Sequence, residues 1–270
     1  PRYPSSPGHK EAIKFYKEHF DKYLVDVTLF EDYVIHPHSL DSIKLTNIFS
    51  RFNPESDIRI LLMAHYDTRE YADQDSNQNN HNKPIIGAND GASGVAILME
   101  IAKLLSDNSF SNIGVDILLT DGEDMGKSGD SGSWALGSEI VAKQLPDPQP
   151  FSAICIDMVG DKELTLPIEQ NSYRQAPELV SSIWNIGIEL GFTQFKMEMG
   201  SSIVDDHYTF YNQTGIPSID IIDFNYPNIE TNYWHTLEDT PNKCSAESLE
   251  AVGTVLINYL YRLDMELYGK

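Results

Sequence analysis

The chain has 270 residues, of which 41% are hydrophobic and 10% aromatic, enough to bury a sizeable core in one large domain and to exclude a disordered or fibrous protein. Nineteen Lys and Arg stand against 41 Asp and Glu, and the net charge of −22 excludes a nucleic-acid or anionic-membrane surface as partner. No apolar run reaches the roughly 18 residues of a membrane span, so no membrane insertion is expected.

In chain order, "GHKEAIKFYKEHFDKYL" has helical spacing, and "VDVTLFEDYVI", "LTNIFSRF" and "DIRILLMAHYD" read as strands. The Asn-rich stretch Asp73–Pro84 reads as a flexible surface loop. Then come the helix "GASGVAILMEIAKLLSD", the strand "VDILLTDG", the helix "LGSEIVAKQL" and the strand "FSAICIDMVGD". The helix "APELVSSIWNIGIELG", a loop and short helix around "DDHYTFYNQT", the strand "PSIDIID" and a helix from Ala246 to Leu263 complete the series. Such alternation indicates an α/β sandwich around a largely parallel sheet buried on both faces. With no internal repeat and no linker, residues 1–270 are expected to form a single domain. Cys155 and Cys244 are read as buried free thiols rather than a disulfide.

The unusual polar residues fall at strand ends. His65 and Asp67 end one strand, Asp90 opens a helix, and Glu123 and Asp124 end a second strand side by side. Asp157 lies near the end of a third, and Asp205 to His207 and His235 sit in later loops. In an open α/β sheet the strand C-termini share one edge, where ligands bind, so these residues can converge on one pocket. Carboxylate and imidazole donors together suit zinc, and a cation relieves the crowding of adjacent acids. Singly, each has an ordinary reading: Asp67 and Asp90 as helix caps or turn formers, Asp157 as an acceptor for backbone donors, His235 as a loop histidine, Trp134 and Trp234 as core aromatics. Four independent strand ends bearing such groups favour a site.

The motifs "AHYDT", "GANDGASGVAILMEIA", "DGED", "CIDMVGD", "DDHYTF" and "WHTLEDT", in this order, resemble the zinc-dependent aminopeptidase clan that includes the animal and bacterial glutaminyl cyclases. The resemblance begins at "PRYPSSPGH" and reaches the last helix. It implies a three-layer α/β sandwich with a mixed, mostly parallel six-stranded sheet flanked by helices. The two-zinc aminopeptidases of this clan would place ligands at His65, Asp90, Asp124, Asp157 and His235, with Glu123 as general base. The cyclases use one zinc, held by residues matching Asp90, Asp124 and His235, which leaves His65 and Asp67 as second-metal or supporting residues. The ligand inventory alone does not choose between them.

Two local features favour the cyclase. Asp205 stands where the peptidases usually carry Ser, and Trp234 precedes the zinc histidine as in the cyclases, with Trp134 resembling a second pocket tryptophan of the bacterial enzymes. Asp124 departs from the animal enzymes, which have Glu there, and agrees with the bacterial ones. The resemblance therefore implies a glutaminyl-peptide cyclotransferase, with a two-zinc aminopeptidase as alternative. Glu123 would carry the proton, while Asp157 and Asp205 would share one as a neighbouring acid pair. Peptides or proteins with N-terminal glutamine would be the substrates. The chain is expected to be a monomer and, from the resemblance and a first residue other than Met, periplasmic or secreted.

Overall fold

The computed structural model describes residues 1–23, 25–108 and 110–267. A helix α1 (Pro7–Asp21) is followed by a hairpin of β1 (Asp26–Ile35) and β2 (Ser42–Phe52), then β3 (Arg59–His65), α2 (Ala92–Asp107), β4 (Gly114–Thr120), α3 (Leu136–Ala142) and β5 (Ser152–Asp157). After these come β6 (Leu166–Ile168), α4 (Gln170–Gln175), α5 (Pro177–Glu189), β7 (Phe195–Met199), α6 (Asp206–Thr214), β8 (Ser218–Ile222), the two-residue strands β9 (Pro227–Asn228) and β10 (Thr231–Asn232), and α7 (Ala246–Leu267).

The main sheet has six strands in the order β1-β2-β4-β3-β5-β8. β4, β3, β5 and β8 run parallel, and the β1–β2 hairpin extends the sheet antiparallel beyond β4. The expected mixed, mostly parallel six-stranded sheet is therefore borne out.

Every residue of β3, β4, β5 and β8 is buried because both faces are covered. Ile60, Leu62 and Ala64 join α2 and α7 residues such as Leu98, Val255 and Leu256 on one face. Leu61 and Met63 pack with Val141 of α3 and Phe210 of α6 on the other. Alternation of side chains along β3 thus splits the core into two layers.

The differences from the sequence reading have local causes. β2 starts at Ser42 rather than Leu45: its first residues pair with Tyr33–Ile35 of β1, and Ile43 and Val34 pack against the buried cluster around Leu45. α1 stops at Asp21; the remainder of that expected helix includes Leu24, which lies outside the described residues. α7 continues to Leu267, and β6, β7 and α4 were not anticipated, each being too short to show a period. Both cysteines are free, as expected, but Cys244 is only half-buried.

At the strand N-termini, opposite the future site, Asp116 of β4 is fully buried between two arginines. Arg59 Nη2 donates to its Oδ1 at 2.7 Å, and Arg51 donates through Nε and Nη2 at 3.0 Å each. Arg59 also satisfies the carbonyls of Phe52, Asn53 and Ser56, which close the β2–β3 turn. Removing the acid strands a fully buried guanidinium, so Asp116→Ala is expected to cost about 3–5 kcal/mol in equilibrium urea unfolding. A loss under about 1 kcal/mol, the scale of an exposed pair, would contradict this account.

Candidate active site and metal centre

The C-terminal ends of β3, β4 and β5 bring the sequence motifs to one edge. Donor atoms of Asp90, Asp124 and His235 lie within 4.8 Å of one another, all three side chains buried. His235 Nε2 is 2.9 Å from Asp124 Oδ1 and 3.6 Å from Asp90 Oδ2. A second trio, His65, Asp90 and Asp157, satisfies the same spacing, with His65 Nε2 at 3.1 Å from each carboxylate. The close approach depends on Gly91: a Cβ there would lie 2.4 Å from the His65 carbonyl oxygen and 2.5 Å from its Nε2. His235 itself has φ of 54°, a left-handed conformation uncommon for a side-chain-bearing residue and found most often at functional sites.

These groups fit a zinc ion. Oδ2 of Asp90 and Oδ2 of Asp124 are buried without a hydrogen-bond partner among the described residues, and both residues face the cavity. Two carboxylates and one imidazole form a donor set that zinc accepts in catalytic centres. The electrostatics agree. Burial, then the Asp124 charge, raises the Asp90 carboxyl to about 8. Asp124 goes down to about 2, because His235 outweighs the effect of burial. His235 rises to about 9 against the effect of burial, held by Asp124 and Asp73.

The cavity, about 580 Å³, is lined by Asp90, Glu123, Asp124, Asp157, Asp205, Trp134 and Trp234 among others. All three residues expected to handle protons thus border one space. Glu123 is pushed well above the usual carboxylate range by burial, then by Asp205 and Asp124. The Trp234 ring stacks on His235 at 3.8 Å, and that of Trp134 lies parallel to His235 at 6.0 Å. Both tryptophans are pocket walls rather than core aromatics.

Asp157 and Asp205, expected to share a proton if close, each have further partners in the structure. Asp157 Oδ1 sits 3.1 Å from His65 Nε2 and accepts the Met158 N–H. Asp205 caps α6 through the Asp206 N–H, and one of its carboxylate oxygens lies within 4.8 Å of one from Asp220 of β8. Burial raises both, with Asp157 the largest charge acting on Asp205 and Asp205 the largest acting on Asp220. Behind them, His207 lies 3.6 Å from Asp220 Oδ2 and 3.2 Å from Glu169 Oε2. Glu169 also accepts the backbone N–H of Ile203, a cavity-wall residue.

Further residues hold the site without facing its centre. Asp67 is no helix cap; its two oxygens accept the Glu123 N–H at 3.1 Å and the Asp124 N–H at 3.2 Å. Asp90 does not cap α2 either, whose N-cap is Gly91. Its turn is held by Asp239, which accepts the Asn89 and Asp90 N–H groups. Arg69 donates to the carbonyls of Asp124 and Gly126 and pairs with Asp73 at 2.6 Å. Asp73 in turn lies 3.5 Å from His235 Nδ1. The Asn-rich stretch is therefore tied to the site at its start, not a loose surface loop throughout. Asp239 stood in the "WHTLEDT" motif and Asp220 as an acid inside an apolar strand, a signal that could have marked the latter.

Among comparisons with known proteins, the glutaminyl cyclase of Tannerella forsythia superposes with a TM-score of 0.91 and 35% identity over 97% of this chain and 92% of that one. A zinc-dependent exopeptidase from Parabacteroides distasonis gives 0.91 and 32% over 97% and 92%. The glutaminyl-peptide cyclotransferase of Bos taurus is 22% identical over 94% of this chain and 76% of its own length. Residues 47–260 match the model of peptidase family M28, and this span holds every strand of the parallel sheet and all the cavity residues named above. The chain belongs to peptidase family M28.

Proposed function

We propose that the protein is a glutaminyl-peptide cyclotransferase, which closes the N-terminal glutamine of a peptide or protein to pyroglutamate with release of ammonia. The observation that carries this reading is the meeting of Glu123, Asp205, Trp134 and Trp234 around the Asp90–Asp124–His235 trio in one cavity. Likeness to the Tannerella forsythia and Bos taurus cyclases over nearly the whole chain supports it. Residues 1–270 are read as one catalytic domain, acting as a monomer, periplasmic or secreted; no helix among the described residues is long and apolar enough to cross a membrane.

Asp90, Asp124 and His235 would hold a zinc ion, which when bound would supply Lewis-acid polarisation of the γ-carbonyl and stabilisation of the charge on its oxygen. Trp134 and Trp234 hold the glutamine side chain folded back on its own amine. Glu123 takes the proton of the attacking α-amine and returns it to the amide nitrogen as that nitrogen leaves. Its burial strengthens the carboxyl's hold on the proton it receives. Asp157 and Asp205 orient the leaving nitrogen. No external water enters the reaction.

The second trio of His65, Asp90 and Asp157 favours one other reading, a two-zinc aminopeptidase in which Glu123 activates water. Likeness to the glutaminyl cyclases, together with Asp205 and Trp234 in the cavity, supports instead a single ion with His65 beside it in a supporting role.

Metal analysis is expected to find one zinc per chain, lost on substitution of Asp90, Asp124 or His235 by Ala; two ions roughly 3.5–4 Å apart in a crystal would favour the peptidase. Glu123→Gln is expected to lower turnover by ~10²–10⁴-fold with zinc content unchanged, and near-normal turnover would assign the proton to another group. A Gln-initiated dipeptide is expected to release ammonia with its peptide bond intact while Leu-initiated substrates are left alone. Faster release of free leucine from a Leu amide would replace the cyclase by the aminopeptidase.

A further inference from the structure

The segment "PRYPSSPGH" takes no part in the chemistry above and lies outside residues 47–260 that match the family model. Its contacts nevertheless run to the metal centre. Arg2 donates through Nε to the Tyr66 carbonyl at 2.8 Å, through Nη1 to Ile86 at 3.0 Å and through Nη2 to Gly87 at 2.9 Å. Its backbone N–H donates to Thr68 Oγ1 at 2.8 Å. One guanidinium therefore fastens the stretch between His65 and Thr68 to the turn that leads into Asn89 and Asp90. The two stretches touch without slack: Gly87 has φ of +64°, and a Cβ there would lie 2.3 Å from the Asp90 carbonyl oxygen and 2.4 Å from Thr68 Cγ2.

Seven residues further on, the same segment grips the other carboxylate turn. Ser6 caps α1 by accepting the His9 N–H. His9 Nε2 lies 2.9 and 2.8 Å from the two oxygens of Asp121, the residue that begins the turn delivering Glu123 and Asp124. Asp121 also accepts the Thr46 N–H at 2.7 Å, and the Tyr66 ring stacks on His9 while its hydroxyl donates to the Thr46 carbonyl. His9 and Asp121 are both buried.

We propose that residues 2–9 are a positioning strap for the metal centre, in which Arg2 fixes the Asp90 turn, His9 fixes the Asp121–Asp124 turn, and the two together set the spacing of Asp90 and Asp124. The proposal rests on the zinc reading of that trio. Three carbonyls arranged around one side chain suit the planar fork of arginine and not the single ammonium of lysine. Groups that orient ligands without touching the ion typically govern metal affinity by 10–100-fold.

The test measures zinc directly, on zinc-loaded protein competing with a chelating dye, for Arg2→Ala, Arg2→Lys and His9→Gln. Val255→Ala, a core change in α7 remote from the site, serves as the control for general destabilisation. Arg2→Ala and His9→Gln are expected to weaken zinc binding by ~10–100-fold, with Arg2→Lys recovering only part of the loss, and Val255→Ala to leave affinity within about twofold. Strap variants that keep parental affinity, or lose no more than Val255→Ala does for an equal fall in Tm, would overturn the strap. A parent protein that takes up no zinc would overturn the metal reading and the strap with it, whereas unaffected variants of a zinc-loaded parent overturn the strap alone.

Discussion

The open edge of the sheet is governed by one electrostatic constraint: Asp67, Asp90, Glu123, Asp124, Asp157 and Asp205 are buried together within a few strand widths. Isolated buried carboxylates are costly, and like charges at this spacing resist ionising together. The protein answers with backbone N–H groups, two histidines and one arginine. Asp67 is satisfied by the amides of the very turn that bears Glu123 and Asp124, so one buried acid orients two others. Asp239 does the same for the Asp90 turn.

This division of labour explains how neighbours in sequence acquire opposite character. Asp124 meets His235 and stays ionised; Glu123, one residue earlier, meets Asp205 and buried space and holds its proton more tightly. Both acids lie in the turn after β4, whose amides Asp67 holds, so adjacent side chains leave it toward different partners. Left-handed backbone at Ala135, Met158 and His235 sharpens the effect, each lying at or directly after a cavity residue. Such conformations persist only where surrounding structure over-determines them, as the stacked indole of Trp234 does at His235.

Much of this was legible in the sequence. The four parallel strands announced themselves as apolar runs because both of their faces are covered, and the turn acids stood out because each ended such a run. What escaped was of two kinds. β6, β7 and α4 span three to six residues and have no period to detect. Arg69, Asp73 and Glu169 reach the site through Asp124, His235 and His207, partners far away in the chain, so nothing near them in sequence marks that role. Asp220 is the intermediate case, an acid inside "SIDII" whose burial followed from its strand but whose partner did not.

The clustering of acids also bears on how fast a ligand arrives. The chain carries a net charge of −22, and Asp130 adds a further acid to the acidic lining of the cavity, where no Lys or Arg stands among the lining residues. Even a bound divalent cation leaves such a molecule strongly negative, and a low-dielectric cleft focuses that field outward through its mouth. Cationic peptides are drawn toward the opening and acidic ones are held off before any contact forms. Capture of charged partners should accordingly slow as ionic strength rises and the Debye length falls to about 10 Å at 0.1 M, so that the same carboxylates that organise the chemistry also set a salt-dependent rate of encounter.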